Sequence, residues 1–151
     1  MPYLWPATQK KGQVNTMEKI VFDTKLHTGN ELIDTQHSEL IDRVNKLVES
    51  CQEGTGKLAA VKTLDFLMDY TDFHFSAEEK LQEENAYPSL AEHKALHDGF
   101  KKSVKELQEM LEEEQEPSAA FVAAVNTNIK DWLVNHIMKA DQAVADYVKS
   151  R

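Results

Sequence analysis

Five of the six histidines in this chain fall on helix faces that also carry its apolar residues. They come in one set per helical segment: His37; His74; His93 with His97; and His136. A lone inward histidine is ordinarily a hydrogen-bonded core residue. Five in one small core are not satisfied that way, because each neutral ring needs partners for both nitrogens. A common metal site answers all five together. The stretch His93-Lys94-Ala95-Leu96-His97 sets two rings at i and i+4, nearly one above the other on a helix, so one ion can bridge them. The glutamate of a zinc-protease motif is missing between them, which argues against peptidase chemistry.

Two carboxylates join the set. Glu78 follows His74 by one helical turn, on a face shared with Leu64, Leu67, Met68, Thr71, Phe75 and Leu81. Asp141 follows His136 by five residues, and five α-helical steps rotate about 140°, which would turn it away. A local widening of π type between His136 and Asp141 would bring it back inward, and such a distortion is expected there. Five imidazoles and two carboxylates exceed the needs of one ion. They suit two ions bridged by both carboxylates and by a solvent-derived oxo or hydroxo group. An ion with three histidines is then six-coordinate, and one with two is five-coordinate, with a position open. Imidazole and carboxylate suit iron, and an open iron beside a bridging oxygen suits dioxygen.

The elements that must hold these groups are legible as four helical patterns. The first, from near Asn30 to before Gly54, uses Ile33, His37, Leu40, Ile41, Val44, Leu47, Val48 and Cys51. The second runs from about Lys57 to Glu84. A third carries Leu90, His93, His97, Phe100, Val104, Leu107 and Leu111. The last begins after Ser118 and uses Phe121, Val125, Ile129, Trp132, Leu133, His136, Ile137 and Val144. Thr28 with Glu31, and Ser89 with Glu92, have capping-box spacing. The links, Glu53 to Gly56, Asn85 to Pro88 and Glu116 to Ser118, are short enough to force neighbours antiparallel. The expected fold is all-α, an up-down-up-down four-helix bundle. Residues 1–20, broken by Pro2, Pro6 and Gly12, read as an extended N-terminal arm or leader, and 21–151 as the domain.

Composition narrows the function. At 41% hydrophobic and 28% charged, the chain is an ordinary globule rather than a disordered segment. A net charge of -9 disfavours nucleic acid or an anionic membrane surface as partner. No apolar run is long enough to span a bilayer. The single Cys51 allows no internal disulfide, reads as a small buried residue, and fits a reducing, cytoplasmic setting.

The residues Ile33-Asp34-Thr35-Gln36-His37, His74-Phe75-Ser76-Ala77-Glu78-Glu79, His93-x-x-x-His97 and Trp132-Leu133-x-x-His136-Ile137-x-x-x-Asp141 together resemble the hemerythrin family in its bacterial single-domain form. The resemblance covers roughly residues 21 to 150. It implies a di-iron centre in which His93, His97 and His136 hold the saturated iron, His37 and His74 the open one, and Glu78 and Asp141 bridge. It also implies reversible dioxygen binding, for transport, storage or delivery, with Phe75, Trp132, Leu133 and Ile137 walling the oxygen pocket. Phe22 stands where bacterial members often have tryptophan, and His27 is no family ligand. A monomer that serves an oxygen-consuming enzyme fits this reading. The competing readings are a di-iron oxidase, peroxidase or nitric-oxide-handling enzyme on the same ligands, an oxygen or redox sensor module, iron storage, or a metal-free bundle.

Overall fold

The protein is described here by a computed structural model, which covers residues 18–54 and 56–151. Four rods follow one another: α1, Glu31–Glu53; α2, Lys57–Glu84; α3, Leu90–Glu113; and α4, residues 119–149. The first three keep the bounds that the apolar periodicity sets. The fourth is not a uniform α-helix. It widens to π geometry over Val125–Asp131 and again over Ile137–Asp141. The second widening lies where the spacing of His136 and Asp141 requires one; nothing in the spacing announces the first. Each rod packs on the next, and α4 closes the bundle against α1 and α3. The result is the antiparallel four-helix bundle expected. Gly54 ends α1 in the left-handed conformation, φ 61°, which glycine adopts without a side-chain clash.

The helix starts differ from the capping boxes. At α1 the cap is Asn30, whose side chain accepts from the Ile33 amide at 3.0 Å. Thr28 sits before it, and Asp34 rather than Glu31 reaches back. The Asp34 carboxylate accepts from the Thr28 amide at 2.8 Å, the Thr28 hydroxyl at 2.7 Å and the Gly29 amide at 3.1 Å. Ser89 precedes α3 but makes no side-chain cap bond. Ser118 does cap α4, accepting from the Phe121 amide at 3.1 Å.

Most of the arm, residues 1–17, lies outside the described residues. Its last part docks on α1: the Ile20 amide donates to Asn45 Oδ1 at 2.7 Å, and Asn45 Nδ2 donates back to the Ile20 carbonyl at 2.8 Å. The stretch that follows makes one 3-10 turn, Thr24–Leu26, ahead of the first rod. His27 stacks on Phe22 at 4.3 Å between ring centroids, outside the bundle core.

The apolar interior is in two parts. A large cluster includes Leu40, Val44, Leu67, Phe75, Phe100, Val104, Leu133 and Ile137. A small one is built on Ile33, Val144 and Ala145, with Leu81, Tyr87 and Val148 against it. Along α1, α2 and α4 the predicted ligands fall between the two. No described helix is long and apolar enough to cross a membrane. Cys51 is a buried free thiol, pushed up to about 12 by burial, which suits the packing role expected of it.

The Asp34 network has a pH signature. Burial would raise its carboxyl pKa, but the bonds from Thr28 and Gly29 outweigh burial and hold it below its ordinary 3.8. A depressed folded-state value adds stability above the ordinary value, and that stability is lost as pH falls through the folded one. Asp34→Asn is therefore expected to lower the urea midpoint of metal-free protein at pH 7. Its deficit against wild type should shrink in more acidic buffer, and a constant deficit would remove the charge from the explanation.

Candidate metal centre

Helical periodicity and one π turn bring all seven predicted groups to a single layer. His37 comes from α1, His74 and Glu78 from α2, His93 and His97 from α3, and His136 and Asp141 from α4. Every one is buried; His37, His97 and Asp141 are fully closed off from solvent. Asp141 closes the Ile137–Asp141 widening and is buried, as the spacing demands.

The groups fall into two overlapping sets able to hold a metal ion. One is Glu78, His93, His97, His136 and Asp141; the other is His37, His74, Glu78 and Asp141. Within each, one ligating atom per residue lies within 4.8 Å of all the rest. Both carboxylates belong to both sets. Asp141 Oδ2 meets His37 Nε2 at 2.7 Å, and its Oδ1 lies 3.0 Å from both His93 Nε2 and His136 Nε2. Glu78 Oε1 lies 3.2 Å from His93 Nε2 and 3.1 Å from His97 Nε2.

Distance alone does not satisfy these atoms. His37 Nδ1, His74 Nε2, His97 Nε2, His136 Nε2, Glu78 Oε2 and Asp141 Oδ1 are buried with no hydrogen-bond partner. The His97 and Glu78 atoms are close but misaligned, as are those of His136 and Asp141. A buried orphan of this kind costs about 1–3 kcal/mol. His37 already meets the layer through Nε2, and its Nδ1 stands apart from it. The other five unpartnered donors belong to groups converging on one layer and call for a cation, and nitrogen-and-carboxylate donors suit iron among the transition metals.

The electrostatics agree. Burial, with repulsion from His37, pushes the His74 imidazole down to about 3, so it is neutral and free to donate a lone pair. Burial works the same way on His93 but is outweighed by Asp141 and Glu78, which raise it to about 9. Burial would likewise raise Asp141, yet His136, His37 and His93 hold it well below the usual carboxylate range. The layer thus attracts positive charge.

Aromatic rings fix the imidazole planes. Phe75 stacks on His97 at 3.7 Å and 3°, and Trp132 stacks on His136 at 4.4 Å and 12°. Phe100 backs Trp132 at 4.4 Å. Phe75, Leu133 and Ile137 are buried and Trp132 is half-buried. Two of the four expected pocket walls thus lie on rings of the three-histidine set.

Sequence reasoning gave no role to two further residues. Gln36 Oε1 accepts from His74 Nδ1 at 2.8 Å, and Glu79 Oε2 accepts from His97 Nδ1 at 2.8 Å. Each is the chain neighbour of a predicted ligand, and only the packing of α1 on α2, and of α2 on α3, shows which ring it serves.

The chain has relatives. The model of the hemerythrin HHE cation binding domain matches residues 28–148. The bacteriohemerythrin of Stenotrophomonas maltophilia (strain R551-3) is 36% identical over 134 residues, which span 89% of this chain and 84% of the relative. That of Methylococcus capsulatus (strain ATCC 33009 / NCIMB 11132 / Bath) is 37% identical over 114 residues, 72% of this chain and 80% of the relative. Among solved structures, crystal structures of hemerythrin point mutants superpose with a TM-score of 0.70 at 32% identity, covering 80% of this chain and 89% of theirs.

Because Glu78 and Asp141 belong to both sets, Glu78→Ala and Asp141→Ala are expected to leave almost no metal bound after reconstitution. His74→Ala removes a member of one set only and should retain about half the wild-type content. Elemental analysis of desalted protein, with circular dichroism to verify folding, checks both. Equal losses in all three variants would contradict the shared-carboxylate arrangement.

Proposed function

This chain belongs to the hemerythrin family, and from that premise we propose that it binds dioxygen reversibly at a carboxylate-bridged pair of non-haem iron ions, as carrier, store or delivery protein. The observation that carries this reading is the pair of metal-binding sets that share Glu78 and Asp141 but differ in histidine count. In the proposal His93, His97 and His136 would hold one ion and His37 and His74 the other, with Glu78 and Asp141 shared between them. The histidine shortfall would leave the His37 and His74 side with a position for a ligand. When bound, a ferrous pair of this kind supplies the electrons that dioxygen takes up on binding and returns on release.

The chain's own residues do the rest. The stacked Phe75 and Trp132 rings hold His97 and His136 in fixed planes, so little ordering is left for metal capture. Phe75, Leu133 and Ile137 are buried, and with the half-buried Trp132 they would wall the pocket and keep it dry. Exclusion of water and stray protons would keep bound oxygen from departing in reduced form with electrons that the metal pair supplied. The side chains packed on the imidazole faces, Phe75 and Trp132, carry no acid or base. That favours binding over turnover and ranks a di-iron oxidase, peroxidase or nitric-oxide-handling enzyme second. The proposal includes residues 21–151 as the functional unit, a monomer, a cytoplasmic site of action, and an oxygen-consuming enzyme as partner.

Anaerobic reconstitution with ferrous iron, followed by cycles of oxygen and argon, tests the class. Two irons per chain and charge-transfer bands that appear and vanish with oxygen are expected. Rapid consumption of peroxide or nitric oxide in stopped flow, with no reversible band, would favour the enzyme instead. Trp132→Ala should shorten the life of the oxygenated form several-fold through faster autoxidation, followed as decay of its optical band. An unchanged decay would deny the indole a shielding role.

A further inference from the structure

The hydrogen bonds behind the ligand rings are unlike at the two ends of the centre. Behind His97 stands a carboxylate, Glu79, at 2.8 Å; behind His74 stands an amide, Gln36, also at 2.8 Å. Neither acceptor oxygen can donate, so each ring carries its proton on Nδ1 and turns Nε2 to the metal layer, where both Nε2 atoms lack partners. The second ring at the two-histidine end, His37, has no acceptor on Nδ1 at all.

We infer that Glu79 and Gln36 are positioning residues that make the two ends of the centre electronically unequal, with a charged acceptor behind His97 and a neutral one behind His74. A hydrogen bond to an ionised acceptor is about twice as strong as one between neutral groups. It draws the Nδ1 proton outward and leaves more electron density on the ring, which becomes a stronger donor. His97 is fully buried, so little solvent screens the effect, while the Glu79 side chain keeps 23% exposure and its own hydration. A ferric ion gains more from a richer donor than a ferrous ion, because the attraction scales with its charge. The three-histidine end is therefore biased toward the oxidised state. The two-histidine end, backed by an amide alone, returns more readily to the reduced state. This places the easier electron return at the end proposed to take oxygen.

The hydrogen bonds stand on the geometry alone; their electrochemical consequence rests on the iron reading above. The test therefore has two arms. In metal-free protein, nitrogen-15 spectra should show both His74 and His97 protonated on Nδ1. Glu79→Gln should move the His97 Nδ1–H signal toward that of a neutral hydrogen bond and leave His74 unchanged. In iron-loaded protein the midpoint potential is read by spectroelectrochemistry at equal metal content. Glu79→Gln keeps an acceptor oxygen but loses its charge, and should weaken the ferric preference roughly tenfold, raising the potential by about 59 mV for a one-electron couple. Gln36→Glu should lower it, and Glu113→Gln, at the far end of α3, should leave it alone. An unmoved His97 signal overturns the hydrogen bond. Potentials that fail to shift in opposite directions, or that follow net charge so that Glu113→Gln matches Glu79→Gln, overturn the tuning. A chain that takes up no iron sinks the iron reading and the electrochemical half with it, while the ring signals still judge the bonds.

Discussion

Two carboxylates buried among five imidazoles are the constraint on which the rest of this structure depends. Glu78 and Asp141 have essentially no solvent to stabilise their charge, and the rings around them offer nitrogens that face inward without partners. A buried charge is tolerated only when paired and hydrogen-bonded. Protonated histidine supplies part of the pairing, since His93 is held charged by both carboxylates. It does not supply all of it, because burial keeps His74 neutral with Nε2 unpaired. The arrangement is short of positive charge at the one place where a multivalent cation would satisfy oxygen and nitrogen donors together. Stability that could have come from another apolar layer has been given up for this.

Four rods can deliver seven groups to one layer only if their registers agree. Short links and antiparallel packing set the levels of α1, α2 and α3, and i, i+4 spacing within α2 and α3 doubles the number of candidate groups each supplies. The fourth rod meets a conflict, because His136 and Asp141 are five residues apart. The π geometry of Ile137–Asp141 resolves it by adding one residue to a turn. A widened turn has poorer hydrogen bonds than an α turn, so it persists only where something rewards it. The reward here is an Asp141 carboxylate facing inward rather than into solvent.

That conflict was legible in the sequence, and so was most of the fold. The three regular rods begin and end where apolar periodicity, Gly54 and Pro88 place them, because their faces are strongly one-sided. The first π stretch, Val125–Asp131, was not legible, since no pair of chemically marked residues brackets it as His136 and Asp141 bracket the second. The capping boxes misled for a local reason. Thr28 and Glu31 have the right spacing, but Asp34 offers a charged acceptor to three donors at once and Asn30 caps the helix instead. The seven candidate groups could be named because their chemistry repeats across four segments. Gln36 and Glu79 could not be given partners, because a hydrogen bond to a ring on another rod leaves no periodic trace within its own.

The division of the apolar interior gives the polar layer a mechanical role as well. The rods α1, α2 and α4 pass from the large cluster, through the His and carboxylate layer, to the small cluster of Ile33, Val144 and Ala145, against which α2 sets Leu81. The small end buries few large side chains. Its cohesion with the rest of the bundle runs along the helix backbones and through the His and carboxylate layer between them. Backbone continuity fixes each rod but not the rods relative to one another. Cross-rod attachment at that end includes the few contacts of the small cluster, the Tyr147 hydroxyl that donates to the Ala86 carbonyl at 3.1 Å, Gln142 Nε2 that donates to the Thr28 carbonyl at 3.0 Å, and the His and carboxylate layer itself. An ion held by residues of all four rods would tie that end to the large core, and its binding free energy would add to the stability of the folded state alone. The same seven side chains that would hold iron for oxygen would then also be what fastens one end of the bundle to the other.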